Sequence, residues 1–106
     1  MELQYEVREG RLTAWVSGEL GHPEAIRLMA ELGRMLEDHL PAEMALDLSG
    51  IDFMDSSGIA VAVQTMRRCQ GCGCRFWVQG VPKQAMRVFT AGGICRLADI
   101  RPEVKA

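Results

Sequence analysis

The chain has 106 residues, 48% of them hydrophobic, which suits one core and leaves no room for a second domain, so 1–106 is read as one unit. Its formal net charge is −2, with acidic and basic residues mixed along the chain; this excludes the basic footprint of a protein that binds nucleic acid or an anionic membrane surface. The opening Met1-Glu2-Leu3-Gln4-Tyr5-Glu6 is no secretory signal, and the apolar run from Gly58 to Val63 is far shorter than the about 20 residues that span a bilayer, so a soluble cytoplasmic protein with reduced cysteines is expected.

Tyr5 to Arg8 and Arg11 to Ser17 read as two strands around a Glu9-Gly10 turn, because Leu12, Ala14 and Val16 alternate with Thr13, Trp15 and Ser17. Pro23 suits the first turn of a helix, and Ile26, Met29, Leu32 and Leu36 recur at helical spacing until His39-Leu40-Pro41. Met44 to Leu48 is a short apolar strand, after which Ser49-Gly50 opens a connection that runs to Asp55. A second helix is expected from Ser56, whose hydroxyl suits an N-cap, to the neighbourhood of Gly71. Arg75 to Gln79 forms the next strand, Pro82 opens a third helix through Phe89, Gly92-Gly93 ends it, and Leu97 to Arg101 is the last strand. The order β-β-α-β-α-β-α-β predicts an α/β fold with a single mixed β-sheet packed against helices.

Three cysteines, Cys69, Cys72 and Cys74, crowd one loop. A structural zinc site needs four ligands, and Cys95 lies in a distant segment, so neither a metal nor a cofactor is expected. His22 and His39 lie near or within the first helix, and the serine turn is not Gly-x-Ser-x-Gly. With no nucleophile, base and orienting group to assemble, the chain is not expected to be an enzyme.

Asp55-Ser56-Ser57-Gly58 is the segment with chemistry to offer. From the residues alone it is a capping serine pair beside a tight turn, with Asp55 as an Asx-turn residue and Gly58 allowing another backbone to approach closely. A phosphate on Ser56 would meet free first-turn N–H groups and the positive end of the helix dipole. Ile59 to Val63 makes the following turns apolar nearly all round, consistent either with a helix sunk in the core or with a surface held open for a partner.

The run Ala45-Leu46-Asp47-Leu48-Ser49-Gly50-Ile51-Asp52-Phe53-Met54-Asp55-Ser56-Ser57-Gly58-Ile59 closely resembles the signature of anti-sigma factor antagonists, the STAS domain shared with the tails of sulfate transporters. The resemblance extends through Pro82 and Phe89 to Gly93-Ile94 and includes Gly18-Glu19-Leu20. It implies a partner switch: the unphosphorylated protein binds an anti-sigma factor that is itself a serine kinase, a sigma factor is released, and phosphorylation blocks the binding. By the same resemblance the phosphoacceptor is Ser56, with Ser57 as rival, and the docking surface involves Glu19, Gly21, His22, Met54, Asp55, Ser57, Gly58 and Ile59. A scaffold subunit of another bacterial signalling complex, its serine never modified, is the alternative.

Two departures from the family pattern stand out. Gly21 occupies a position where relatives often carry an acidic residue. Arg101-Pro102-Glu103-Val104-Lys105-Ala106 stands where relatives usually have a fourth helix, which suggests uncovered apolar surface and weak self-association.

Overall fold

Glu9 and Gly10 have φ of 51° and 80°, the left-handed pair of a two-residue hairpin turn, and they fold β1 (Glu2–Arg8) back onto β2 (Arg11–Leu20). The computed structural model describes residues 1–104. After the hairpin come α1 (His22–His39), β3 (Glu43–Met54), α2 (Ser57–Gly71), β4 (Arg75–Val81), α3 (Lys83–Ala91), a short 3₁₀ turn (Ile94–Arg96) and β5 (Ile100–Pro102). The strands form one five-stranded sheet in the order β1-β2-β3-β4-β5, with β1 antiparallel to β2 and every later pair parallel. This is the expected α/β order.

Alternation places Leu12, Ala14 and Val16 of β2, Met44, Leu46 and Leu48 of β3, and Val78 of β4 on one face of the sheet, all buried. They share a single core with α1, α2 and α3. Within α1 the buried stripe is Ala25, Leu28, Leu32, Met35 and Leu36. It is centred one residue away from the expected one, leaving Ile26 55% exposed. Leu40 closes α1 in the left-handed conformation (φ 45°), its N–H donating to the Leu36 carbonyl, before Pro41 prevents continuation.

The opposite face of the sheet carries polar side chains and tryptophan. Trp77 is buried there beneath the guanidinium groups of Arg101, Arg11 and Arg75, at 4.6, 5.0 and 5.8 Å from its ring centre. Its indole N–H donates to Gln79, whose amide donates in turn to Asp47. Arg11 pairs with Glu43, and Arg101 with Asp99, so the charge of this face is largely balanced internally. The Arg101 hydrogen bond holds the Asp99 carboxyl below its ordinary range.

The last strand is Ile100–Pro102 and not the expected Leu97 to Arg101, because the 3₁₀ turn at Ile94–Arg96 ends on Leu97. Two further boundaries differ from expectation because strand pairing overrides local turn signals. β2 runs on to Leu20, and β3 continues through Ser49-Gly50 to Met54. Gly50, Ile51, Phe53 and Met54 pair with Ser17, Gly18, Glu19 and Leu20, and two register shifts in β2 and β3 absorb the irregular residues. A Cβ at Gly50 would lie 2.8 Å from the Ser17 Cβ, so glycine here permits close strand approach. The second helix runs through Gly71, and the left-handed residue beyond it is Gly73 (φ 71°). Among the described residues, no helix is long and apolar enough to cross a membrane.

Candidate functional site

The parallel strands β2 and β3 end side by side, and their carboxyl ends carry the chain into α1 and α2 respectively. This is where connections cluster in an α/β sheet and where side chains are offered to ligands and partners. The Asp55 N–H donates to the Leu20 carbonyl at 3.2 Å, tying the two exits together.

The turn itself is built differently from the expected serine cap. Ser56 sits at the N-cap position in helical conformation (φ −62°, ψ −14°), and its hydroxyl makes no capping hydrogen bond. An N-cap side chain reaches the first-turn N–H groups from extended backbone, which Ser56 does not adopt. Asp55 performs that task instead: its Oδ1 accepts the Ser57 N–H at 2.8 Å in an Asx turn. The next two amides are also occupied, Gly58 N–H by the Asp55 carbonyl and Ile59 N–H by the Ser56 carbonyl, both at 3.1 Å. The ring of free amides expected around a phosphate is therefore mostly closed. Ser56 is exposed, whereas Ser57 is half-buried.

Two further contacts fix the turn from below. Gln84, near the start of α3, clamps the end of β3: its Oε1 accepts the Met54 N–H at 2.9 Å and its Nε2 donates to the Met54 carbonyl at 2.7 Å. The side-chain amide thus supplies the pairing that a neighbouring strand would have given. Gly58 lies directly on the Met54 side chain, and a Cβ there would stand 2.6 Å from the Met54 Cγ. The close approach that glycine permits is to this side chain and not, as expected, to another backbone.

Of the other expected docking residues, Glu19 and His22 are exposed. Gly21 caps α1, its N–H donating to Glu24 Oε1 at 3.1 Å. A Cβ at Gly21 would lie 3.2 Å from that oxygen and 3.5 Å from Asp55 Oδ2. An acidic side chain at this position would thus sit between two carboxylates, a physical reason for glycine. Ile59 is half-buried and packs where a Gly92 side chain would project. Met54 is a correction: it is wholly buried, shapes the floor beneath Gly58, and offers no side chain to a partner. Gly58 is likewise buried.

Sequence reasoning missed two residues. Phe53 pairs with Glu19 at the strand ends and is 50% exposed, an aromatic surface three residues before Ser56. Gln84 gave no signal in sequence because its partner is backbone thirty residues away.

The match to the STAS domain model spans residues 2–106. The chain belongs to the STAS domain family. Its fold is shared with an anti-sigma factor antagonist from Mycobacterium paratuberculosis (23% identity, TM-score 0.85, covering 95% of this chain and 85% of that one). The anti-sigma factor antagonist SpoIIAA in unphosphorylated form is similar at 20% identity and TM-score 0.79, over 93% of this chain and 87% of that one. A sulfate transporter family protein from Wolinella succinogenes matches at 17% identity and TM-score 0.75, over 93% and 82%. The STAS core of this chain carries its serine turn at the end of β3, on a backbone pinned by Asp55, Leu20 and Gln84.

Proposed function

We propose that this STAS domain is an anti-sigma factor antagonist in the bacterial cytoplasm. Its unmodified form binds an anti-sigma factor with serine kinase activity, and phosphorylation of Ser56 ends the binding and so returns the sigma factor to inhibition. The observation that carries the reading is the Ser56 hydroxyl: exposed, free of capping duty, and presented on a turn whose backbone is held by neighbours on both sides. A kinase needs an acceptor oxygen that can be engaged without unfolding its surroundings, and Ser56 supplies one. Ser57 is half-buried, which favours Ser56 of the two. SpoIIAA, described in both unphosphorylated and phosphorylated forms, supports the reading by its similarity of fold.

The mechanism is electrostatic. A phosphate adds about −1.5 to −2 charges next to Asp55, with Asp52 and Glu19 exposed nearby along the strand ends. The first-turn amides that would neutralise it are engaged, so the dianion projects to solvent. The fold keeps its shape, and the partner meets added like charge and a desolvation cost. Exposed Phe53 gives the unmodified surface an aromatic anchor for docking.

The test is incubation with the cognate anti-sigma kinase and ATP, followed by mass spectrometry. One phosphate on Ser56, lost in Ser56→Ala and retained in Ser57→Ala, is expected. Phosphate on Ser57 would move the acceptor, and no phosphate at all would leave the scaffold reading in its place.

A further inference from the structure

The sheet has two edges, and the fold protects only one. β5 is 3 residues long and ends on Pro102, which has no N–H to offer. β1 is 7 residues long, pairs with β2 without a register shift, and contains no proline, glycine or lysine. Such an edge is open to a further strand. The hairpin turn sets which groups are free. Arg8 and Arg11 flank a two-residue turn, so the Arg8 carbonyl faces the Arg11 N–H. Alternation then turns the main-chain groups of Glu6, Gln4 and Glu2 toward β2, and those of Val7, Tyr5 and Leu3 outward.

We propose that β1 pairs antiparallel with β1 of a second copy of this chain, about a two-fold axis at Tyr5, joining two five-stranded sheets into one. The charge pattern of the strand selects both partner and register. With Tyr5 opposite Tyr5, Glu2 of each copy faces Arg8 of the other, two opposite-charge pairs from one symmetric contact. Sliding by two residues in either direction sets glutamate against glutamate, Glu2 on Glu6 or Glu6 on Glu6. Sliding by one exchanges the faces of the strand. A parallel pairing in register stacks each glutamate on its own copy.

The favoured register also brings the outward groups of Leu3, Tyr5 and Val7 into hydrogen-bonded pairs, about six new main-chain bonds. It covers Tyr5 and Val7, which are 47% and 43% exposed on the helix-bearing face. β2 separates β1 from β3, so the Ser56 turn stays accessible in the dimer.

Sedimentation velocity and amide hydrogen exchange on the 106-residue chain, from micromolar to millimolar concentration, test the pairing. A reversible dimer is expected, with the amides of Leu3, Tyr5 and Val7 gaining protection as concentration rises. Glu2→Arg and Arg8→Glu should each weaken the dimer about ten-fold, and the double variant should recover to within about three-fold of the parent. A monomer throughout the range overturns the proposal. So does a dimer that leaves those three amides unprotected, or a double variant no better than the single ones.

Discussion

Gln84 offers the sharpest test of how the serine turn is held, because its two hydrogen bonds run to the two main-chain groups of one residue, Met54. Gln84→Ala removes both. Each such bond contributes about 0.5–1.5 kcal/mol net, so the variant should lose about 1–3 kcal/mol. Gln84→Glu discriminates further. The introduced carboxylate keeps an acceptor for the Met54 N–H but turns a second oxygen toward the Met54 carbonyl, where the parent has a donor at 2.7 Å. Near pH 7 this variant should therefore be at least as unstable as the alanine variant. Protonation restores a donor, so the folded-state pKa of the introduced carboxyl should be raised above its unfolded value of about 4.3. A carboxyl raised on folding favours the folded state as pH falls and disfavours it as pH rises through the folded value. Relative to the parent at each pH, Gln84→Glu should recover between about pH 7 and pH 4. Urea unfolding midpoints at constant slope measure this. A Gln84→Ala deficit under about 0.5 kcal/mol, or a Gln84→Glu deficit that does not shrink with acid, would refute the clamp.

Other outcomes follow from the same geometry. Asp55→Ala should cost about 1 kcal/mol, the usual loss of a capping side chain, while Ser56→Ala should stay within about 0.5 kcal/mol; equal losses in urea titration would return the capping role to Ser56. Gly58→Ala forces a methyl group into the Met54 side chain and should destabilise by about 1–3 kcal/mol, with no effect expected if the side chain repacks freely. Native protein near pH 8 should react with a thiol reagent at exposed Cys72 and Cys95 only. Burial, then the adjacent Cys74, pushes the Cys69 thiol far up, and burial raises the Cys74 thiol as well. Fast labelling of all four without denaturant would contradict this packing.

Much of the architecture was legible because hydrophobic period is a local signal. The alternation of Leu12, Ala14 and Val16 and the order of strands and helices carried through to the structure. The run from Ala45 to Ile59 carried the family, and Ser56 lies exposed at the head of a helix as expected. Most of what failed depended on groups distant in sequence; the Ser56 cap failed to a neighbour, Asp55. Ser49-Gly50 has turn composition, yet it is strand because β2 reaches Leu20 and pairs with it. Ser56 has capping chemistry, yet Asp55 sits where its carboxylate reaches the Ser57 amide first. Met54 looked available beside the serine turn, but the strand continues far enough to turn it into the core. Gln84 and Phe53 matter through tertiary placement alone. The self-association expected from the C-terminal residues is proposed instead at the edge of β1.

On the proposed function, Ser56 phosphorylation changes the surface that the partner meets and leaves the fold in place. Calorimetric titration of the anti-sigma kinase partner with unmodified and Ser56-phosphorylated protein tests it directly. Phosphorylation should lower the affinity at least about a hundred-fold, with an unchanged circular dichroism spectrum. Equal affinity of the two forms would contradict it.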